Sequence, residues 1–117
     1  MSDRAREIAI LVVSVHWDSA FERYAHEAVG RHVGLTDAEL TDLRAEHYDG
    51  LPADEALVAE TTRLLAADGD LDDLAYAEAV AGLGEDGLFE LLTLVGYYAG
   101  LALQLRVFRV PAPTPPS

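Results

Sequence analysis

Apolar positions along the chain recur at helical rather than alternating spacing, and glycine and proline divide them cleanly into segments. The pattern predicts an all-α domain. A first helix is expected from about Asp3 to Val15, with an apolar run from Ile8 to Val15 that calls for burial on more than one side. Ser19 and Glu22 stand at capping-box spacing and open a second helix from about Ser19 to Val33, which Gly34 ends as a left-handed cap. Thr36 and Glu39 repeat the device for a short helix to about Glu46, before the turn residues Asp49, Gly50 and Pro52. A fourth helix runs from Pro52 to Ala67, with Ala56, Leu57, Leu64 and Leu65 marking its apolar face, and Asp68-Gly69 ends it. Asp70 or Asp72 caps the next, about Asp72 to Leu83, which stops at Gly84. The last and longest spans Glu85 to Phe108, and its glycines at 87, 96 and 100 suggest close packing. Five or six helices with short connections make one bundle over residues 1–110, and residues 111–117, PAPTPPS, read as a disordered proline-rich tail.

Composition narrows the chemistry. The 117 residues include 21 acidic and 8 basic side chains, a formal charge of -13 that would repel nucleic acid. There is no cysteine, which removes disulfides, thiolate metal sites and thiol nucleophiles together. Every basic residue is arginine, so Schiff-base chemistry and the phosphate-binding lysine of P-loops are excluded too. The charges before Ile8 are mixed in sign and no small-residue cleavage site follows, so the first apolar run is not read as a signal peptide. The stretch Gly87–Leu105 carries only Glu90 as a charge. With Arg106 and Arg109 beyond it, it is read as a buried helix shared with neighbours in an oligomer rather than a membrane span. The expectation is a cytoplasmic homo-oligomer that contacts neither membrane nor nucleic acid.

Glu22 and His26 lie four residues apart on one helical face, and an antiparallel first helix brings Glu7 beside them. Imidazole changes its charge near neutral pH, and a carboxylate on one ring nitrogen fixes the tautomer, so this is a candidate acid-base cluster. The plain alternative is an ordinary i,i+4 pair of Glu22 with His26.

These residues also belong to a wider pattern. Arg6-Glu7 before Ile8–Val12, then Phe21-Glu22-Arg23-Tyr24-Ala25-His26, then Gly34-Leu35, and finally Glu90-Leu91 before Val95-Gly96-Tyr97-Tyr98, resemble the carboxymuconolactone decarboxylase and AhpD-like (alkylhydroperoxidase-like) family over roughly Arg4 to Pro111. The resemblance implies an AhpD-like all-α bundle assembled as trimers or hexamers, with a proton relay of Glu7 and His26. The family's thiol peroxidases carry two cysteines where this chain has Ser19 and Glu22, so peroxidase activity is expected to be absent. The chain is also shorter before this motif than many members, and the muconolactone itself is not carried over as substrate.

What the resemblance implies is proton-transfer chemistry, decarboxylation or isomerisation, on a small carboxylic acid or lactone. His26, Glu7 and Glu22 would be catalytic, and Tyr97, Tyr98 and Arg23 would bind the substrate, with no metal and no cofactor. Adjacent tyrosines on a helix point in different directions, so at most one should face the site. The alternative is a non-catalytic oligomeric scaffold or binding module of the same fold.

Other motifs carry less. His26-Glu27 begins like a zinc-protease motif, but His32 is rotated about 120° away from His26. Asp68, Asp70 and Asp72 match the start of an EF-hand loop, yet Asp73 and Ala79 occupy its glycine and glutamate positions. His16 is expected to pack locally with Trp17, His32 and His47 to lie on the surface, and Arg31 joins Arg23 as a candidate for carboxylate binding.

Overall fold

The computed structural model describes residues 1–113, which form five α-helices and, among the described residues, no strand. They are α1 (Asp3–His16), α2 (Ala20–His32), α3 (Asp37–Arg44), α4 (Ala53–Asp68) and α5 (Asp73–Val107). Residues 114–117 of the expected tail lie outside the described residues, and residues 111–113 have no regular structure.

The apolar run made α1 the central helix. Ile8 through Val13 are all essentially inaccessible to solvent, and the helix buries two stripes against different neighbours. Ile8, Leu11 and Val12 meet Leu35, Leu40, Leu43, Tyr48 and Leu51 around α3, with Ala59 of α4. Ala5, Ala9 and Val13 meet Val58 and Leu65 of α4 and Leu91 and Val95 of α5. Each large aliphatic side chain buried in this way contributes about 1.5–3 kcal/mol.

Helix ends follow local chemistry at most of the expected places. Thr36 and Glu39 form the reciprocal capping box, and the Asp72 carboxylate accepts from the Ala75 amide at 2.8 Å. Gly34 (φ 105°) follows the end of α2, and Gly84 (φ 75°, ψ 165°) interrupts α5 with a conformation that costs other residues dearly. The Gly84 stop therefore stands, as a break within one 35-residue element.

Three expectations are corrected. Ser19 is the N-cap of α2, but its side chain makes no capping bond, and Glu22 does not reach back to it. The buried face of α4 is Glu55, Val58, Ala59, Thr61, Thr62 and Leu65, whereas Leu57 and Leu64 are only partly covered. Thr62 passes as a core residue because its hydroxyl donates to the Val58 carbonyl at 2.7 Å. Gly96 and Gly100 have open space where a Cβ would stand, so the close glycine contact of α5 lies instead at Gly82, against Leu57.

Past Gly84, α5 is only partly covered. By length and composition it could cross a bilayer, and 22% of its most apolar 18-residue window is buried. Phe89, Leu92, Gly96, Gly100, Leu103 and Val107 are exposed at spacings that make one stripe.

Candidate acid-base site

Glu7 and His26 face each other across the α1–α2 pair. The chain reverses between Val15 and Ser19, where the Ser19 amide donates to the Ser14 carbonyl, so the two helices run antiparallel. His26 Nδ1 lies 2.7 Å from Glu7 Oε2, with the carboxylate side chain 9% exposed and the imidazole 20%. With the Nδ1 proton donated to Glu7, Nε2 is left as the acceptor. The Tyr98 ring meets the imidazole edge-on at 5.3 Å, and Tyr97 packs against Tyr98 at 5.0 Å.

Glu22 does not form the helical pair with His26. It is 2% exposed, and neither carboxylate oxygen has a hydrogen-bond partner among the described residues. Burial raises its pKa above the ordinary carboxylate value, opposed in part by the charge of His26. Trp17 Nε1 and Ser19 Oγ are also buried without partners, so unmatched polar atoms gather at the α1–α2 turn. Burial is also the main cause of the raised Tyr98 pKa, aided by the Glu7 and Glu22 charges and opposed by Arg6.

The raised value sets a pH dependence. The folded state holds the Glu22 proton more tightly than the unfolded chain, so this residue destabilises the fold increasingly as pH rises above the unfolded value of 4.5. Glu22→Gln should therefore raise the melting temperature at pH 7.5 and have no such effect near pH 4.5. Thermal unfolding of both proteins across that range checks it, and a destabilised variant at pH 7.5 would show that the carboxylate has a partner.

Beside Tyr98 opens a groove of about 720 Å³, lined by Arg6, Phe89, Glu90, Thr93, Leu94, Tyr97 and Tyr98. Both tyrosines thus line one groove, where at most one was expected to face the site. They differ in what they touch, since Tyr98 contacts His26 and Tyr97 is largely exposed. Arg23 is not brought to the groove: its guanidinium pairs with Asp18 at 2.8 Å, and Arg31 pairs with Asp37.

The arginine at the groove is Arg6, which makes no ion pair among the described residues. Sequence reasoning passed over it as a chemical group, although the signal is geometric. Consecutive helical residues point about 100° apart, so with Glu7 turned to α2, Arg6 turns to the adjoining sector. The arrangement offers a cation, two phenols, apolar walls and one carboxylate, Glu90, which faces the N-terminal ammonium at 3.5 Å, next to an imidazole–carboxylate pair. That combination can hold a small organic acid and move a proton.

His16 packs edge-on to Trp17 at 5.7 Å, and His32 and His47 are exposed. Among the described residues no group of three acidic or histidine side chains stands in metal-binding geometry. Comparison with protein-family profiles, with characterised proteins and with solved structures finds no match for this chain.

Proposed function

We propose that this is a cysteine-free protein of the carboxymuconolactone decarboxylase and AhpD-like type, which catalyses proton transfer on a small carboxylic acid or lactone. The observation that carries the reading is the 2.7 Å Glu7–His26 pair set behind Tyr98, next to a groove with an unpaired arginine. In this reading Arg6 holds the substrate carboxylate, and Tyr97 and Tyr98 hydrogen-bond its oxygens. His26 takes or returns the proton, Glu7 fixes the tautomer, and buried Glu22 acts as a neutral acid. Arg6 thereby takes the role that the sequence suggested for Arg23. Hydroperoxide turnover is not expected, because Ser19 and Glu22 stand where thiols would be needed.

The test is a thermal-shift screen of wild type, Arg6→Gln and His26→Ala against small carboxylic acids, lactones and hydroxamates. Stabilisation by an acid that is lost in both variants, followed by turnover of that acid or its lactone, is the expected result. No shift with any compound, together with a less stable His26→Ala, favours the alternative, in which the cluster is a packed polar network within a scaffold.

A homo-oligomer, trimer or hexamer, belongs to the same proposal and rests on the exposed α5 stripe. Phe89 is 72% exposed, and Gly96 and Gly100 leave a flat notch where a second backbone can approach closely. A second copy suits this face better than an anionic bilayer, because Glu85, Asp86 and Glu90 crowd one end in a chain of charge -13. Phe89→Glu with Gly96→Leu should shift the protein to monomer in sedimentation velocity. Wild-type protein that is monomeric at 100 micromolar, a concentration of about 10⁻⁴ M or roughly −5.5 kcal/mol in affinity, would end this part of the proposal.

A further inference from the structure

Charge is segregated along the last part of α5. After the Gly84 break, Glu85, Asp86 and Glu90 fall within the first two turns and Arg106 in the last, while Leu91 through Leu105 carry no charge. Glu90 faces the N-terminal ammonium, but Glu85, Asp86 and Arg106 make no ion pair among the described residues. The stripe between these ends is apolar and open to solvent, with Phe89 72% exposed, Leu92 44% and Leu103 47%.

Its spacing is the same read in either direction. Leu92 and Gly100 stand four residues either side of Gly96, Phe89 and Leu103 seven, and Glu85 and Val107 eleven. A second α5 reversed about Gly96 therefore receives Leu92 over the partner's Gly100, where the space for a Cβ is open, and Phe89 beside the partner's Leu103.

Charge fixes the direction of that second helix. Parallel copies, two or three, would gather Glu85, Asp86 and Glu90 of every chain at one end and Arg106 of every chain at the other, in a protein of net charge -13. Antiparallel copies set each acidic end against the other's arginine. At 100° per residue, Arg106 and Glu85 fall on the same flank of the stripe, about 80° and about 20° from Gly96. A two-fold axis keeps equal flanks together, so Arg106 is level with the partner's Glu85 to within one residue. The opposite flank carries Phe89, Thr93 and Tyr97, which line the groove beside Tyr98. There the same operation sets the partner's Gln104 against Phe89.

We propose that α5 pairs with α5 of a second copy, antiparallel about a two-fold axis at Gly96, and that each acid-base groove is bordered by the partner's Leu103 and Gln104. The pairing rests on the reading of this face as self-associating. It selects the hexamer, or the dimer within it, over the trimer, because a self-complementary contact of this kind does not occur in a three-fold ring.

The absence of cysteine makes the geometry testable by single substitutions in the full chain. Under mild oxidation Gly96→Cys should cross-link to itself. Phe89→Cys and Leu103→Cys each stand about 21 Å from their own counterparts along the paired axes, too far for a disulfide. Neither should then cross-link alone, whereas a mixture of the two should. Leu74→Cys, exposed but off the stripe, gives the rate of chance collision. In sedimentation velocity Arg106→Glu should weaken self-association about tenfold, and adding Glu85→Arg should restore it. Self-cross-linking of Phe89→Cys or Leu103→Cys above the Leu74→Cys rate, a mixture that fails to cross-link while both proteins stay oligomeric, or a trimeric wild type overturns the antiparallel pairing and leaves an oligomer standing. Wild type that is monomeric at about 10⁻⁴ M, or that floats with phosphatidylcholine vesicles while Gly96→Cys stays uncross-linked, overturns both.

Discussion

Arg4→Ala should unfold this protein about 10 °C earlier than wild type, the largest loss of stability expected from any single surface-proximal residue. Arg4 sits in the first turn of α1 and reaches three other parts of the chain. Its Nε and Nη2 donate to the two oxygens of Glu55 on α4, each at 2.9 Å, Nη2 also meets Glu39 Oε2 on α3 at 2.7 Å, and Nη1 donates to the Gly34 carbonyl at 2.5 Å. Glu55 is buried, so removing the guanidinium leaves a carboxylate that water reaches poorly. Such losses cost about 3–5 kcal/mol when fully buried, and roughly 3 kcal/mol suits a cluster whose arginine remains partly exposed. Arg4→Met with Glu55→Leu should recover part of it, since the buried Glu55 charge is gone and only Glu39, which still accepts from the Thr36 amide, has lost its arginine. The pH profile carries a second signature. The Arg4 hydrogen bond is the main reason that the Glu39 pKa lies below its ordinary 4.5. That contribution is complete above the unfolded value and is lost as pH falls through the lower folded one. The gap between wild type and Arg4→Ala should therefore narrow below about pH 4.5. A constant gap would mean that Arg4 acts through packing alone.

No local pattern announces that cluster, because Arg4, Glu39 and Glu55 are brought together only by the packing of α1 on α3 and α4. The same limit runs through the rest of the reading. Features that act within one turn were legible: the Thr36–Glu39 box, the left-handed glycines at 34 and 69, the Asp72 cap and the break at Gly84 all occur where the sequence places them. Features that depend on a neighbour were not. Ser19 and Glu22 have the spacing of a capping box, but tertiary packing buries both and neither side chain is bonded to the other. Thr62 and Glu55 read as polar, yet they form part of the buried face of α4 because the Val58 carbonyl satisfies the one and Arg4 the other. At the site, the juxtaposition of Glu7 and His26 follows from two helices and a short turn, so it could be anticipated. The choice of Arg6 over Arg23 depends on where α5 lies, and on Asp18 claiming Arg23 first.

The second large effect is on chemistry. On any acid that the screen identifies as substrate, His26→Gln should lower kcat/KM by about 10²–10⁴-fold, the usual contribution of a positioned general acid or base. Glu7→Gln keeps the size of the side chain and a carbonyl acceptor for Nδ1–H, but removes the charge that stabilises the imidazolium, so its loss should be smaller and confined to kcat. The double variant is the discriminating protein. If Glu7 acts through His26, it has nothing left to orient once the imidazole is gone, and the double variant should be no slower than His26→Gln alone. Losses that multiply would mean that Glu7 touches the substrate independently. Stability separates the remaining possibility. A cluster kept only as packing should lose melting temperature in each single variant while any turnover survives, because one member of a buried pair is then left unmatched. A catalytic cluster carries its cost in the folded state already, with Glu22 buried beside the pair and without a partner. Truncating its members should then leave stability level or higher while the rate falls.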